Sequence, residues 1–306
     1  MMHHVAKQAS RILQSVGMSA AVLLLAPAAA LAQQTYPTAE AAAEAFTAAL
    51  GKPVMMAKVL GTDWKRFIPT DEIEDEHVQA YLGAWEKRRE IVPDPSDSGS
   101  GRMAVGVGEG DWTLPIPLVK SEAGWSFDLV AGAEEMQTRR IGRNELAAIN
   151  GVLAYYDAQR EYAERDRDGD GLREYSQRII STPGKTDGLY WASLDDEEES
   201  PLGPLFGGDE AGSGYHGYLS RILTAQGAEA RGGAYDYMVN GRMRGGFALI
   251  AWPLRYDDTG VMTFIVSHDG TVYETDLGTE TDSIVRTIET FNPDENWAAV
   301  NPRPTD

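Results

Sequence analysis

Cysteine is absent from all 306 residues. Its absence removes disulfides, a thiolate nucleophile, thiolate-bound zinc and any lipid attached through an N-terminal cysteine. Histidine is scarce. Beyond residue 32 only His77, His216 and His268 remain, and no two of them have the H-x-x-x-H spacing that sets two imidazoles on one helix face. Basic residues are outnumbered, 27 Lys and Arg against 47 Asp and Glu, for a net charge of −20. A field of that sign repels phosphate backbones, so nucleic acid is not an expected partner. Long apolar runs are missing after residue 32, so no membrane-spanning helix is expected there.

The usual catalytic loops are missing as well. No G-x-S-x-G nucleophile elbow occurs. Pro183-Gly184-Lys185-Thr186 ends like a phosphate-binding loop, but the first glycine of that motif would stand at Ile179. Gly106, Gly108 and Gly110 lead into Trp112 and a strand pattern, where a dinucleotide loop would open a helix.

What is present begins with an export signal. Lys7 and Arg11 precede an apolar run from Met18 to Pro27 centred on Val22-Leu23-Leu24-Leu25, and Ala30-Leu31-Ala32 follows. Charged, apolar and small-residue regions in that order predict a cleavable secretory peptide over 1–32, cut between Ala32 and Gln33, and a periplasmic product. The run is too short to cross a bilayer core of about 30 Å. The leader holds two basic and no acidic residues, so its loss makes the product still more acidic. Such a surface suits solubility, cation binding or a basic partner.

The mature chain reads as α+β, with helices packed on antiparallel sheets in two subdomains, 33–137 and 138–300, and a tail over 301–306. Thr38 caps an Ala-rich helix to Leu50, and Val78, Tyr81, Leu82 and Trp85 stripe a second over Ile73–Arg89. A loop from Pro93 to Gly101 leads to strands over Met103–Val107, Trp112–Val119 and Trp125–Leu129, the middle one compromised by Pro115 and Pro117. A long helix is expected from Asn144 to Arg165, with Leu146, Ile149, Leu153 and Tyr156 on its apolar face. An acidic, Gly-rich loop spans Ser193–Gly214. A β-meander follows over Tyr218–Thr224, Tyr235–Val239, Phe247–Trp252, Val261–Ser267 and Thr271–Thr275, with turns at Asp258-Thr259-Gly260 and Asp269-Gly270. The Val261–Ser267 segment is apolar on both faces and is expected at the sheet centre; a last helix covers Asp282–Glu289.

One loop has metal-binding spacing. Asp166, Asp168 and Asp170 stand at positions one, three and five of an EF-hand-like calcium loop, with Gly171 at six, the Leu172 carbonyl at seven and Glu174 at nine. Position twelve is Gln177, whose neutral amide replaces the usual bidentate carboxylate, so calcium binding would be weak. The same residues also make a plain Asp-Gly turn that ends a helix. His216, between Tyr215 and Gly217, is the candidate catalytic base for a hydrolase, while His268 beside Asp269 reads as a turn residue. Arg139, Arg140 and Arg143 read as anchors for internal carboxylates.

Several blocks carry a family resemblance: Leu114–Val119 (LPIPLV), Gly124–Asp128 (GWSFD), Arg139–Leu146 (RRIGRNEL), Ser181–Trp191 (STPGKTDGLYW), Tyr215–Gly227 (YHGYLSRILTAQG), Val239–Pro253 (VNGRMRGGFALIAWP) and Gly260–Gly278 (GVMTFIVSHDGTVYETDLG). In these the chain resembles the exported bacterial family called domain of unknown function 2950. Leu219-Ser220 and Ser267 depart from it, where aromatics and Asn are expected. The resemblance implies export and a two-part α+β chain, and it carries over no catalytic residue. Two functions stay open: a non-catalytic envelope protein that binds a ligand or partner protein or scaffolds an assembly, with calcium as a possible stabiliser, and a periplasmic hydrolase using His216.

Overall fold

The computed structural model describes residues 33–300 apart from 71–74, 98, 168, 193–198 and 204–213. The expected leader, Asp168, most of the acidic stretch before Gly214 and the tail lie outside the described residues. The chain is α+β, with helices against antiparallel sheets.

In the N-terminal part, α1 (Ala39–Ala49) starts as expected. Thr38 is extended and its hydroxyl accepts a 3.1 Å hydrogen bond from the Ala41 amide, satisfying an otherwise unpaired donor. Ala42, Phe46 and Ala49 form the buried face. A helix the sequence pattern did not separate, α2 (Pro53–Leu60), follows at once; Pro53 sits at the first turn, where its missing N–H costs nothing. Helix α3 (Asp75–Lys87) falls where the second helix was expected, with the Tyr81 and Trp85 rings stacked at 6.1 Å.

A four-stranded antiparallel meander completes this part: β1 (Arg89–Pro93), β2 (Met103–Val107), β3 (Leu118–Ser121) and β4 (Gly124–Phe127), paired in sequence order. The strand expected over Trp112–Val119 is corrected. Thr113 makes an isolated bridge to Gly106, and regular pairing starts at Leu118, because Pro115 and Pro117 have no amide to give to a ladder. Gly124, at φ +121°, lies against the Tyr36 carbonyl, where a Cβ would collide; this lets Tyr36 and Trp125 exchange backbone bonds of 2.8 and 2.7 Å.

Helix α4 (Leu129–Tyr162) is the largest correction. It begins at Asp128, whose carboxylate accepts from the Ala131 amide at 3.1 Å, and not at Asn144, which lies inside it. Its 34 residues extend about 50 Å. Ala131 and Gly132 are buried at its first end, and Ala148, Val152, Tyr155, Ala158 and Tyr162 at the other, with no buried residue between Ala133 and Ala147. The expected boundary between 137 and 138 falls inside this helix, which serves both cores.

The C-terminal strands are β5 (Tyr218–Leu223), β6 (Ala225–Gln226), β7 (Tyr235–Asp236), β8 (Met238–Val239), β9 (Arg242–Met243), β10 (Ala248–Pro253), β11 (Met262–Ser267), β12 (Val272–Asp276) and β13 (Ala298–Ala299). The main sheet has the order β13-β12-β11-β10-β5 and is antiparallel throughout. As the apolar pattern required, β11 is central and buried from Thr263 to Ser267. The strand expected over Tyr235–Val239 divides at Tyr237, because its halves pair with different partners, β6 and β9. Helix α4 packs on one face of the sheet. There the buried Gln159 side chain donates to the Tyr155 hydroxyl at 2.9 Å and the Ser176 carbonyl at 2.8 Å, and accepts from the Ser176 amide at 2.8 Å. Burial pushes the Tyr155 phenol up. The expected last helix is shorter, α5 (Thr281–Val285). The Arg221 guanidinium takes the Val285 and Ile288 carbonyls at 2.7 Å each, so the chain beyond turns into an arch.

Candidate functional site

That arch, Thr287–Trp297, is pinned at its crown and at its far foot. Phe291 is 1 % exposed, donates its amide to the Ala225 carbonyl and accepts from Gly227, both at 2.9 Å. The chain then reaches β13, which adds to the edge of β12, and the Val300 amide bonds the Val272 carbonyl at 2.9 Å. Between the arch and the strands lies an open cleft of about 710 Å³, within the size range of small-molecule sites. Ile265, Thr275 and Leu277 contribute from the sheet side, and Thr287, Thr290, Asn292 and Trp297 from the arch.

Three carboxylates open on this cleft: Asp276, Glu289 and Asp294. None of the described residues that line it is basic. Asp276 accepts from the Gly278 amide at 2.8 Å and from the Tyr256 hydroxyl at 3.3 Å. One Asp294 oxygen holds the Asn296 amide and side chain at 2.9 and 3.1 Å. Glu289 is exposed, with no internal hydrogen bond or ion pair among the described residues. Chemically the cleft offers hydrogen-bond acceptors, threonine hydroxyls, amides and one indole to a polar guest.

The residues singled out in the sequence fall elsewhere. In the Asp-Gly loop, Asp166 accepts from the Gly169 amide at 2.8 Å and the Gly171 amide at 2.7 Å, and Asp170 accepts from Leu172 at 2.9 Å. Arg242 from β9 brings a guanidinium to Asp170 and, at 3.3 Å, to Glu174. These oxygens therefore already serve turn amides and an arginine; Asp168 lies outside the described residues. His216 sits exposed in a left-handed turn at φ +48°, its ring edge-on to Tyr215 at 4.4 Å. No Ser, Tyr or carboxylate among the described residues hydrogen-bonds it. His268 lies in the β11–β12 turn as expected, and its Nε2 meets the Tyr235 hydroxyl at 3.1 Å.

The pattern of the family described as "Protein of unknown function (DUF2950)" matches residues 33–300. The chain belongs to the DUF2950 family. No curated protein and no solved structure matches it.

Within this DUF2950 chain, the RRIGRNEL block holds elements together. Arg139 donates to the Thr113 carbonyl and hydroxyl at 2.6 and 2.9 Å and pairs with Glu135 at 2.7 Å. Arg140 pairs with Asp258 at 2.5 Å, and the Asn144 side-chain Nδ2 donates to the Thr259 carbonyl at 2.9 Å. One Glu145 oxygen accepts from the Val261 and Met262 amides at 2.9 and 3.0 Å. This face of α4 thus grips the whole β10–β11 turn. The anchoring expected of Arg139 and Arg140 is present; Arg143 is exposed with no carboxylate partner among the described residues. Glu145 was not foreseen, and neither were the cleft residues. The sequence signal for the arch is the polar-aromatic run TIETFNPDENW after α5, whose first residues, Thr287–Glu289, belong to the expected last helix.

Proposed function

We propose that this DUF2950 protein is exported to the periplasm and there binds a small polar ligand, with no chemical step of its own. The observation that carries the binding reading is the cleft under the Thr287–Trp297 arch: about 710 Å³, lined by carboxylates, amides, hydroxyls and Trp297. The location rests on Lys7, Arg11, the Val22–Leu25 run and Ala30-Leu31-Ala32. The hydrolase reading lacks a comparable support, since His216 has neither an acid nor a nucleophile within hydrogen-bonding distance among the described residues.

Two measurements test the proposal together. Osmotic shock of cells expressing the full chain is expected to release a product whose first residue is Gln33. A full-length product retained in the cytosol defeats the location. A thermal-shift screen with polar metabolites and oligosaccharides is expected to yield a stabilising compound, because a guest bound only to the folded state raises Tm. The Trp297→Ala change is expected to abolish that shift; a shift that survives it removes the cleft from the reading.

A further inference from the structure

The acidity of this chain is unevenly spread. Between Gly51 and Pro69 the sequence has four basic residues, Lys52, Lys58, Lys65 and Arg66, and one acid, Asp63, in a chain of 27 basic and 47 acidic residues. All five are exposed, and Asp63 is already paired with Arg66 at 3.7 Å. The sign of the surface is reversed here.

The same segment exposes apolar side chains. Helix α2 buries Met56, Val59 and Leu60 on one side. At 3.6 residues per turn, Val54 and Lys58 fall together on the opposite side, with Met55 flanking them. Val54 is 75 % exposed and Met55 42 %. Single exposed apolar residues are ordinary. This pair is different because lysines bracket it, Lys52 just before and Lys58 one turn on. The Lys52 ammonium donates to the Ala48 carbonyl at 2.9 Å, which fixes one positive charge where α2 begins.

Position supplies an independent observation. The Gln34 amide donates to the Lys58 carbonyl at 3.1 Å. The described chain therefore starts against α2, and the leader expected over 1–32 joins the body at this patch. Its Val22–Leu25 run is the part of the sequence suited to a bilayer. On the export reading, the side nearest the membrane is the side with the lysines and the exposed apolar residues.

We propose that this face of α2 docks on an anionic phospholipid surface, with Val54 and Met55 set among the headgroups and Lys52 and Lys58 paired with lipid phosphates. Lys65 and Arg66 add to the local positive potential. Apolar insertion and attraction to anionic lipid act together at such basic amphipathic sites. Acids elsewhere on the molecule do not cancel the attraction, because charges more than about 8 Å away are largely screened at physiological ionic strength. They do turn the remaining surface away from the lipid, which leaves one orientation.

The test is co-sedimentation of residues 33–306, which hold every described residue, with vesicles of phosphatidylglycerol and phosphatidylethanolamine. Vesicles of phosphatidylcholine alone are run beside them. Binding is expected to the anionic vesicles only, and to fall as salt is added. Lys58→Gln is expected to weaken it about fivefold, the scale of one basic residue near an anionic surface. Val54→Ser combined with Met55→Ser is expected to weaken it about tenfold or more, with Tm unchanged because both side chains are exposed. Lys185→Gln, an exposed lysine outside the patch, is expected to change nothing. No binding to anionic vesicles would overturn the proposal, as would equal binding to both kinds of vesicle or equal weakening in Lys185→Gln and Lys58→Gln. Capture of soluble polyglutamate without vesicle binding would make the patch a site for an acidic protein and overturn it as well. The arch cleft is a separate matter: Trp297→Ala is expected to bind vesicles as the native chain does, so either reading can fail alone.

Discussion

Glu274 is a carboxylate whose charge its surroundings oppose. It sits on β12, and burial raises its carboxyl above the ordinary range, with the charge of Glu145 from α4 adding to the effect. Both glutamates, after burial itself, push the Tyr218 phenol up, and that hydroxyl donates to the Met262 carbonyl at 2.9 Å. A carboxyl that holds its proton more tightly when folded favours the folded state most at acid pH. The benefit is lost as pH rises from the ordinary carboxylate range through the raised value. Glu274→Gln, which keeps the shape and removes the charge, is therefore expected to raise Tm at pH 7 by about 1–2 °C. At pH near 4, where both states are largely protonated, the variant and the native protein are expected to coincide. A variant that melts lower at pH 7 would mean that the ionised carboxylate is stabilising after all. Glu145 shows why such a pair was invisible in the sequence. It is one acid among many on a helix, and its importance comes from two amides 116 and 117 residues away in the chain.

At the scale of the element, the Asp166–Glu174 loop has the spacing of a calcium loop and the hydrogen bonds of a turn. Arg242 is what distinguishes the two, since its guanidinium faces Asp170 and Glu174 from β9. Calcium entering here would have to displace it. Arg242→Ala leaves these carboxylates without that counter-charge. Millimolar calcium is expected to raise the melting temperature of Arg242→Ala more than that of the native protein, in the weak regime of about 10⁻⁴–10⁻³ M. If calcium shifts neither protein, the loop is a turn alone. The elements themselves were unevenly legible. Thr38, an N-cap before an Ala-rich run, marked α1. Asp128 marks α4 in the same way, but the residues on either side, Trp125–Phe127 and Leu129, read as one continuous strand. Only the pairing of β4 with β3 ends that strand at Phe127.

At the scale of the molecule, two separate hydrophobic cores share one helix. The middle of α4 has no buried residue, so the join there is polar: Arg139 to Thr113 on one side, Arg140 and Asn144 to the β10–β11 turn on the other. Polar contacts that water also reaches couple domains weakly. Scanning calorimetry is therefore expected to give a calorimetric enthalpy larger than the van't Hoff enthalpy, with Arg139→Ala widening the gap. Matching enthalpies in both proteins would show one cooperative unit.

The family, the α+β class, the central position of β11 and its hairpin partners were all determined by the sequence alone. Each depends on local signals: the period of apolar residues, the residues a turn demands, and ordered blocks of identity. The cleft, the Glu145 latch and the engagement of Arg242 with the Asp loop were decided only by the tertiary structure. Their parts lie far apart along the chain, and no local pattern says which carboxylate will meet an amide, an arginine or open water.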